Sequence, residues 1–173
     1  DAPLDDAIVG SAAGIFGNQG EVCSAGSRIF VHSSVYDRVL EGMVAEAGAI
    51  RLGSGLDEST TMGPLVSARQ RDRVMAYVDG APADGARHVF SGAMPESDEF
   101  ADGFFVAPSV FEVPDHSPAI AREEIFGPVA TVLRFDEVEE VVRLANQTEY
   151  GLAAAIWTRD INLALNTARR VRA

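Results

Sequence analysis

The 173-residue chain holds one cysteine, Cys23, within the run Phe-Gly-Asn-Gln-Gly-Glu-Val-Cys-Ser-Ala-Gly-Ser-Arg at 16–28. From Gly17 to Ser27 the run has neither helical nor strand periodicity, and Gly17, Gly20 and Gly26 permit tight backbone paths. Ser24, Ala25 and Gly26 leave little bulk beside the sulfur, so a small molecule can approach it. The chemistry open to such a thiol is attack on a carbonyl carbon, with backbone N–H groups of the loop stabilising the oxyanion that forms. Arg28 would favour the thiolate and Glu21 would oppose it, so charge alone does not decide. A single intracellular cysteine also serves as a small buried hydrophobe. Read from these residues alone, nucleophile and inert core thiol both stay open.

The elements that must position this loop are legible on either side of it. Residues 4–15 read as a helix with Asp1 as its cap, and 28–31 as a short strand. Ser34 is expected to cap a helix whose apolar face carries Val35, Val39, Leu40, Met43, Val44 and Ala47. Gly53-Ser-Gly55 and Thr61-Met-Gly-Pro64 are turn chemistry, and a further helix covers about 67–79. Strands are expected at 87–90 and within 104–113, where Pro108 interrupts, with a polar surface loop at 94–103 between them. In the last third, residues 130–135 form a buried strand. Asp136 and Glu139 then have capping-box spacing for a helix bearing Val138, Val141, Val142 and Ala145 on one face. Residues 152–157 predict another strand. Asp160 caps a last helix with Ile161, Ala164, Leu165, Ala168 and Val171 along one side. Strand, helix, strand, helix implies a right-handed parallel crossover, and the fold class is α/β, a mainly parallel sheet flanked by helices.

Composition narrows the partners. A formal net charge of -12 argues against nucleic acid and anionic membrane surfaces, which are held by clustered Lys and Arg. The hydrophobic fraction of 47% and charged fraction of 23% are those of a globular domain, and no run approaches a membrane-spanning length. A lone cysteine forms no internal disulfide, and a cytoplasmic setting is the expectation. His32, His88 and His116 match no metal-ligand spacing, so no metal is expected. The start without Met and a close inside a helical pattern are read as the ends of a piece of a longer polypeptide.

Four ordered stretches then carry a specific resemblance. "FGNQGEVCSAGSRIFV" at 16–31 resembles the active-site segment of the NAD(P)-dependent aldehyde dehydrogenase superfamily, Asn-x-Gly-[Gln/Glu]-x-Cys followed by small residues and Ser-Arg. "TMGPLVS" at 61–67, "REEIFGPVATVLRF" at 122–135 and "ANQTEYGLAAAIWTRD" at 145–160 resemble three further family segments in the same order. The resemblance implies the catalytic-domain type of that family over residues 1–173, with Cys23 as nucleophile and its backbone N–H as an oxyanion donor. It implies that Glu124 binds the nicotinamide ribose hydroxyls and that Phe126 packs near the nicotinamide of NAD or NADP. It also implies an aldehyde substrate and a parent enzyme that is a homo-oligomer, dimer or tetramer.

The same resemblance shows what the sequence does not contain. There is no Gly-rich strand–turn–helix fingerprint, no Glu-Leu-Gly-Gly segment with the family's general base, and no counterpart of its oxyanion asparagine. The dinucleotide-binding domain is expected upstream and the family's terminal strands downstream, and the fragment alone is expected to be inactive. Two other readings compete. One is a cysteine hydrolase or acyltransferase pairing Cys23 with a histidine such as His116, and the other is a non-catalytic domain with Cys23 buried.

Overall fold

The run Val-Ala-Thr-Val-Leu at 129–133 is buried throughout, because its strand lies inside the sheet with helices over both faces. The computed structural model describes residues 1–95 and 100–173, so part of the loop expected at 94–103 lies outside the described residues. In chain order the elements are α1 (Leu4–Phe16), β1 (Arg28–His32), α2 (Tyr36–Gly48), α3 (Ala68–Gly80) and β2 (Arg87–Ser91). Then come β3 (Ser109–Val113), β4 (Val129–Phe135), α4 (Val138–Ala145) and α5 (Ile161–Ala168). The sheet order is β1-β4-β3-β2, parallel at β1/β4 and β3/β4 and antiparallel at β2/β3. The expected α/β class, mainly parallel with flanking helices, is the class observed.

Strand alternation divides the core into two layers. Val110 of β3 and Ala130 and Val132 of β4 pack with Ile8, Ile15 and Phe16 of α1 and Tyr36, Leu40 and Met43 of α2. Phe111, Val113, Val129 and Leu133 point the other way, against Val74 and Val78 of α3 and Ile120 of a short 3-10 turn. Burying each such large side chain contributes on the order of 1.5–3 kcal/mol, so two filled layers fix the sheet between its helices. The loop ends that carry Cys23 and the 124–127 turn lead into β1 and β4, which are hydrogen-bonded neighbours. Chain separation of a hundred residues thereby becomes adjacency.

Several local expectations are corrected. Residues 152–157 form no strand: the run is unpaired, Leu152 and Trp157 are 66% and 43% exposed, and the Trp157 ring lies against Gly10 of α1. Its apolar content favours extension, but a strand also requires an edge to bond, and neither edge strand, β1 or β2, takes this run up. The parallel pairs therefore arise from β1/β4 and β3/β4 and not from a crossover into 152–157. The apolar side of α5 is likewise outside, with Ile161 66% exposed and Thr167 buried instead.

Three caps also differ. Asp1 accepts from the Thr158 hydroxyl and leaves α1 with Pro3 as its N-cap. Ser34 sits in a 3-10 turn, so α2 begins at Tyr36 without a side-chain cap. Asp136 accepts from the Ser33 hydroxyl while Glu139 pairs with Arg170, so no capping box forms. For Asp1 and Asp136 a partner distant in sequence takes the side chain, whereas the Ser34 hydroxyl is held by His32 two residues away. Asp160 caps α5 as expected, accepting from Asn162 N–H at 2.8 Å and Leu163 N–H at 3.1 Å, and the structure adds Ser67 as the cap of α3.

Candidate active site

The loop after α1 leaves the helix through three successive residues with left-handed backbone, Asn18 (φ 48°), Gln19 (φ 59°) and Gly20 (φ 71°). For the two non-glycine residues this conformation costs on the order of 1–2 kcal/mol each, so the surroundings must hold it. They do. Asn18 Nδ2 donates to Glu21 O at 3.1 Å, Gln19 Nε2 donates to Pro64 O at 3.3 Å, and the Glu21 carboxylate accepts Val66 N–H at 3.1 Å. Cys23 and Ser24 then form the tip of a turn closed by Ala25 N–H to Val22 O at 3.0 Å. Cys23 is exposed, which removes the reading in which it is an inert core thiol. Among the described residues neither the Cys23 nor the Ser24 backbone N–H has a hydrogen-bond acceptor, leaving both available to a developing oxyanion.

The other wall of the same cleft is the 124–127 turn. Cys23, Ala25, Glu124 and Phe126 all line it, so the structure brings together the three site residues expected from sequence. The approach is set by backbone contact: a Cβ on Gly20 would lie 2.1 Å from Gly127 O and 2.4 Å from Gly127 C. Only a residue without a side chain, in a conformation that glycine adopts freely, permits it. Phe126 is half-buried and itself left-handed, with φ 60°. Glu124 is exposed, its N–H donating to the Tyr150 hydroxyl at 3.4 Å while no hydrogen bond engages its carboxylate among the described residues. A free carboxylate beside a half-buried aromatic ring suits a ribose diol and a planar heterocycle, and these residues fit that part of a dinucleotide.

Arg28, just after this loop, is paired with His116, and neither lines the cleft. Arg28 Nη1 is 3.0 Å from His116 Nε2, and its Nη2 donates to Ala145 O and Thr148 Oγ1, both at 3.4 Å. A guanidinium only donates, so Nε2 of His116 is the acceptor and its proton sits on Nδ1. Burial first, then the Arg28 charge, holds the His116 pKa below the ordinary histidine value, and burial lowers that of Arg28. His116 does not line the cleft and is committed to Arg28, so the cysteine–histidine hydrolase pairing is not formed. His88 stacks on Phe111 and His32 Nδ1 meets the Ser34 hydroxyl. Among the described residues no group of three His, Cys, Asp or Glu side chains converges on a metal position.

The cleft geometry and the motif order agree with one comparison in particular: the Aldehyde dehydrogenase family profile matches residues 1–173. The chain belongs to the aldehyde dehydrogenase family. A betaine aldehyde dehydrogenase from Brucella ovis is 43% identical over 173 residues, covering all of this chain and 36% of the relative. Among solved structures, the NAD+ complex of an aldehyde dehydrogenase from Bacillus cereus superposes with TM-score 0.93 at 42% identity, over all of this chain and 34% of that one. A gamma-glutamyl-gamma-aminobutyraldehyde dehydrogenase from Burkholderia cenocepacia superposes with TM-score 0.92 at 46% identity, over 100% and 34%. The chain thus spans about a third of the length of its aldehyde dehydrogenase relatives. No helix among the described residues is long and apolar enough to cross a membrane.

Sequence reasoning had named Cys23, Glu124 and Phe126 but not what holds them. The anchors Gln19, Glu21, Arg28 and Tyr150 act through partners 26 to 120 residues away, which no local pattern reveals. The signal available was conformational: a Gly-flanked Asn-Gln pair and a Phe-Gly-Pro sequence both mark backbone turns.

Proposed function

We propose that this chain carries the thiol side of the active site of an NAD- or NADP-dependent aldehyde dehydrogenase, forming its cysteine-bearing catalytic domain. The observation that carries the reading is the shared cleft, in which an exposed Cys23 faces Glu124 and Phe126. Cys23, as thiolate, attacks the aldehyde carbon, and the backbone N–H groups of Cys23 and Ser24 receive the oxyanion of the thiohemiacetal. Glu124 would bind the nicotinamide ribose hydroxyls and Phe126 would pack near the nicotinamide. A bound NAD or NADP supplies the hydride acceptor. Loss of hydride from the thiohemiacetal leaves a Cys23 thioester, and water releases the carboxylic acid and the thiol. Sulfur suits both steps, being a strong nucleophile and a tolerable leaving group.

The general base, the second oxyanion donor and the dinucleotide fold belong on this reading to the remainder of a longer enzyme, with a catalytic domain that runs beyond the present chain. That parent is a cytoplasmic homo-oligomer, dimer or tetramer, acting on a small aldehyde. The family membership and the relatives solved with NAD+ support this reading. The test is Cys23→Ser in the full-length enzyme, with NADH formation followed over a panel of aldehydes. Turnover is expected to fall below detection, and the 173-residue chain alone is expected to show little. A serine variant that keeps its turnover would sink the reading.

A further inference from the structure

Helix α3 carries a polar stripe that the mechanism above does not use. Gln70, Arg73 and Tyr77 fall at i, i+3 and i+7, on one side of the helix. Their side chains meet in register four consecutive residues, 123–126, that lead into and form the cleft wall. Tyr77 Oη donates to Glu123 Oε2 at 2.7 Å, and Arg73 Nη2 donates to Glu124 O at 2.6 Å. Gln70 Nε2 donates to Ile125 O at 3.2 Å and to Phe126 O at 2.8 Å.

The two hydrogen bonds from Gln70 restrict the conformation of the turn. Its two acceptors are the carbonyls on either side of the Phe126 α-carbon. A left-handed backbone turns such a pair to the same side, whereas an extended residue turns them apart. One amide nitrogen can therefore hold both in the conformation Phe126 has, at φ 60°, and would lose one of them if the residue became extended. Gln70 is itself fixed, since the Ser67 hydroxyl accepts its N–H at 3.2 Å in the first turn of α3. The residues leading into that turn hold the other wall, through Pro64 O to Gln19 and Val66 N–H to Glu21. Both walls of the cleft are thus referred to one helix start.

We infer that Gln70 is a positioning residue of this cleft, holding Phe126 in its left-handed conformation and so setting where Glu124 and Phe126 stand relative to Cys23. The inference deepens the dehydrogenase reading and rests on it for its consequence in catalysis. The experiment is Gln70→Glu in the full-length protein, an isosteric change that leaves only acceptors facing two carbonyl oxygens. Amide exchange across 123–129, measured without cofactor, is expected to accelerate about tenfold, with the thermal midpoint nearly unmoved. The KM for the dinucleotide should rise about tenfold while the rate of Cys23 alkylation stays within twofold of the parent.

Unchanged exchange across 123–129 would overturn the inference. A role by direct contact with cofactor is separated by a cycle with Phe126→Gly, since glycine takes positive φ freely. In that background the Gln70→Glu effect on KM should shrink to about twofold or less, and a full-sized effect would also overturn it. Should Gln70→Glu fail to fold, Arg73→Met removes the exposed neighbouring contact and must raise exchange at the same turn. The exchange readout needs neither cofactor nor turnover, so it decides on Gln70 whether or not the Cys23 reading survives.

Discussion

Gly20→Ala puts the greatest demand on the geometry that joins the two walls. Alanine at φ 71° costs on the order of 1–2 kcal/mol. Its methyl would start 2.1 Å from Gly127 O and 2.9 Å from Pro128 N, with no side chain able to rotate away. Relief requires the two backbones to part by roughly an ångström, and overpacking of this kind costs about 1–3 kcal/mol more. The sum, about 2–5 kcal/mol, lies within the stability of an ordinary domain, so the protein should still fold. Misplacing a nucleophile by about an ångström relative to its partners costs on the order of a hundredfold in rate. The expected result in the full-length enzyme is therefore a kcat/KM about a hundredfold lower, with a lowered urea midpoint. Gly17→Ala is the matched control: no atom lies within 4 Å of the added methyl, and little change is expected. A Gly20→Ala enzyme within about twofold of the parent would refute the claim that this backbone contact sets the cleft.

Two further outcomes follow from the surrounding contacts. The folded His116 pKa lies below the unfolded one, because burial and the Arg28 and Arg122 charges outweigh the hydrogen bond to the Ala121 backbone and the Asp115 charge. Its contribution to stability is complete above the ordinary histidine pKa of about 6.5 and is lost as pH falls toward the lowered folded value. His116→Gln, which keeps an acceptor for Arg28, should lose less of its urea midpoint between pH 7.5 and pH 5 than the parent does (both values roughly bracket the histidine range); equal losses would contradict it. Asp160→Ala removes the acceptor of two N–H groups at the start of α5 and should destabilise by about 1 kcal/mol, read as faster amide exchange within α5.

The thiol loop shows where sequence reading succeeds. Small residues around Cys23 and the Asn-Gln-Gly turn are demands of the immediate backbone, and they are written where they act. The same holds for α2, whose face of Val39, Leu40, Met43 and Ala47 is buried as its spacing predicts, and for the cap Asp160. Reading failed where a side chain had a choice of partners. Asp136 preferred Ser33 to its own helix, Asp1 preferred Thr158, and His116 preferred Arg28 to any role beside the sulfur.

By itself, then, the order of residues determined the α/β class, the position of the cysteine-bearing loop and, through motif order, the family. The first two rest on periodicity and backbone preference, which act over a few residues, and the family rests on the resemblance of four ordered segments. Only the tertiary structure decided that 152–157 stays out of the sheet, that Gly20 meets Gly127, and that Gln70 holds Phe126. Each of those depends on which surfaces the packed layers bring together, a property of the whole chain's burial and not of any stretch within it.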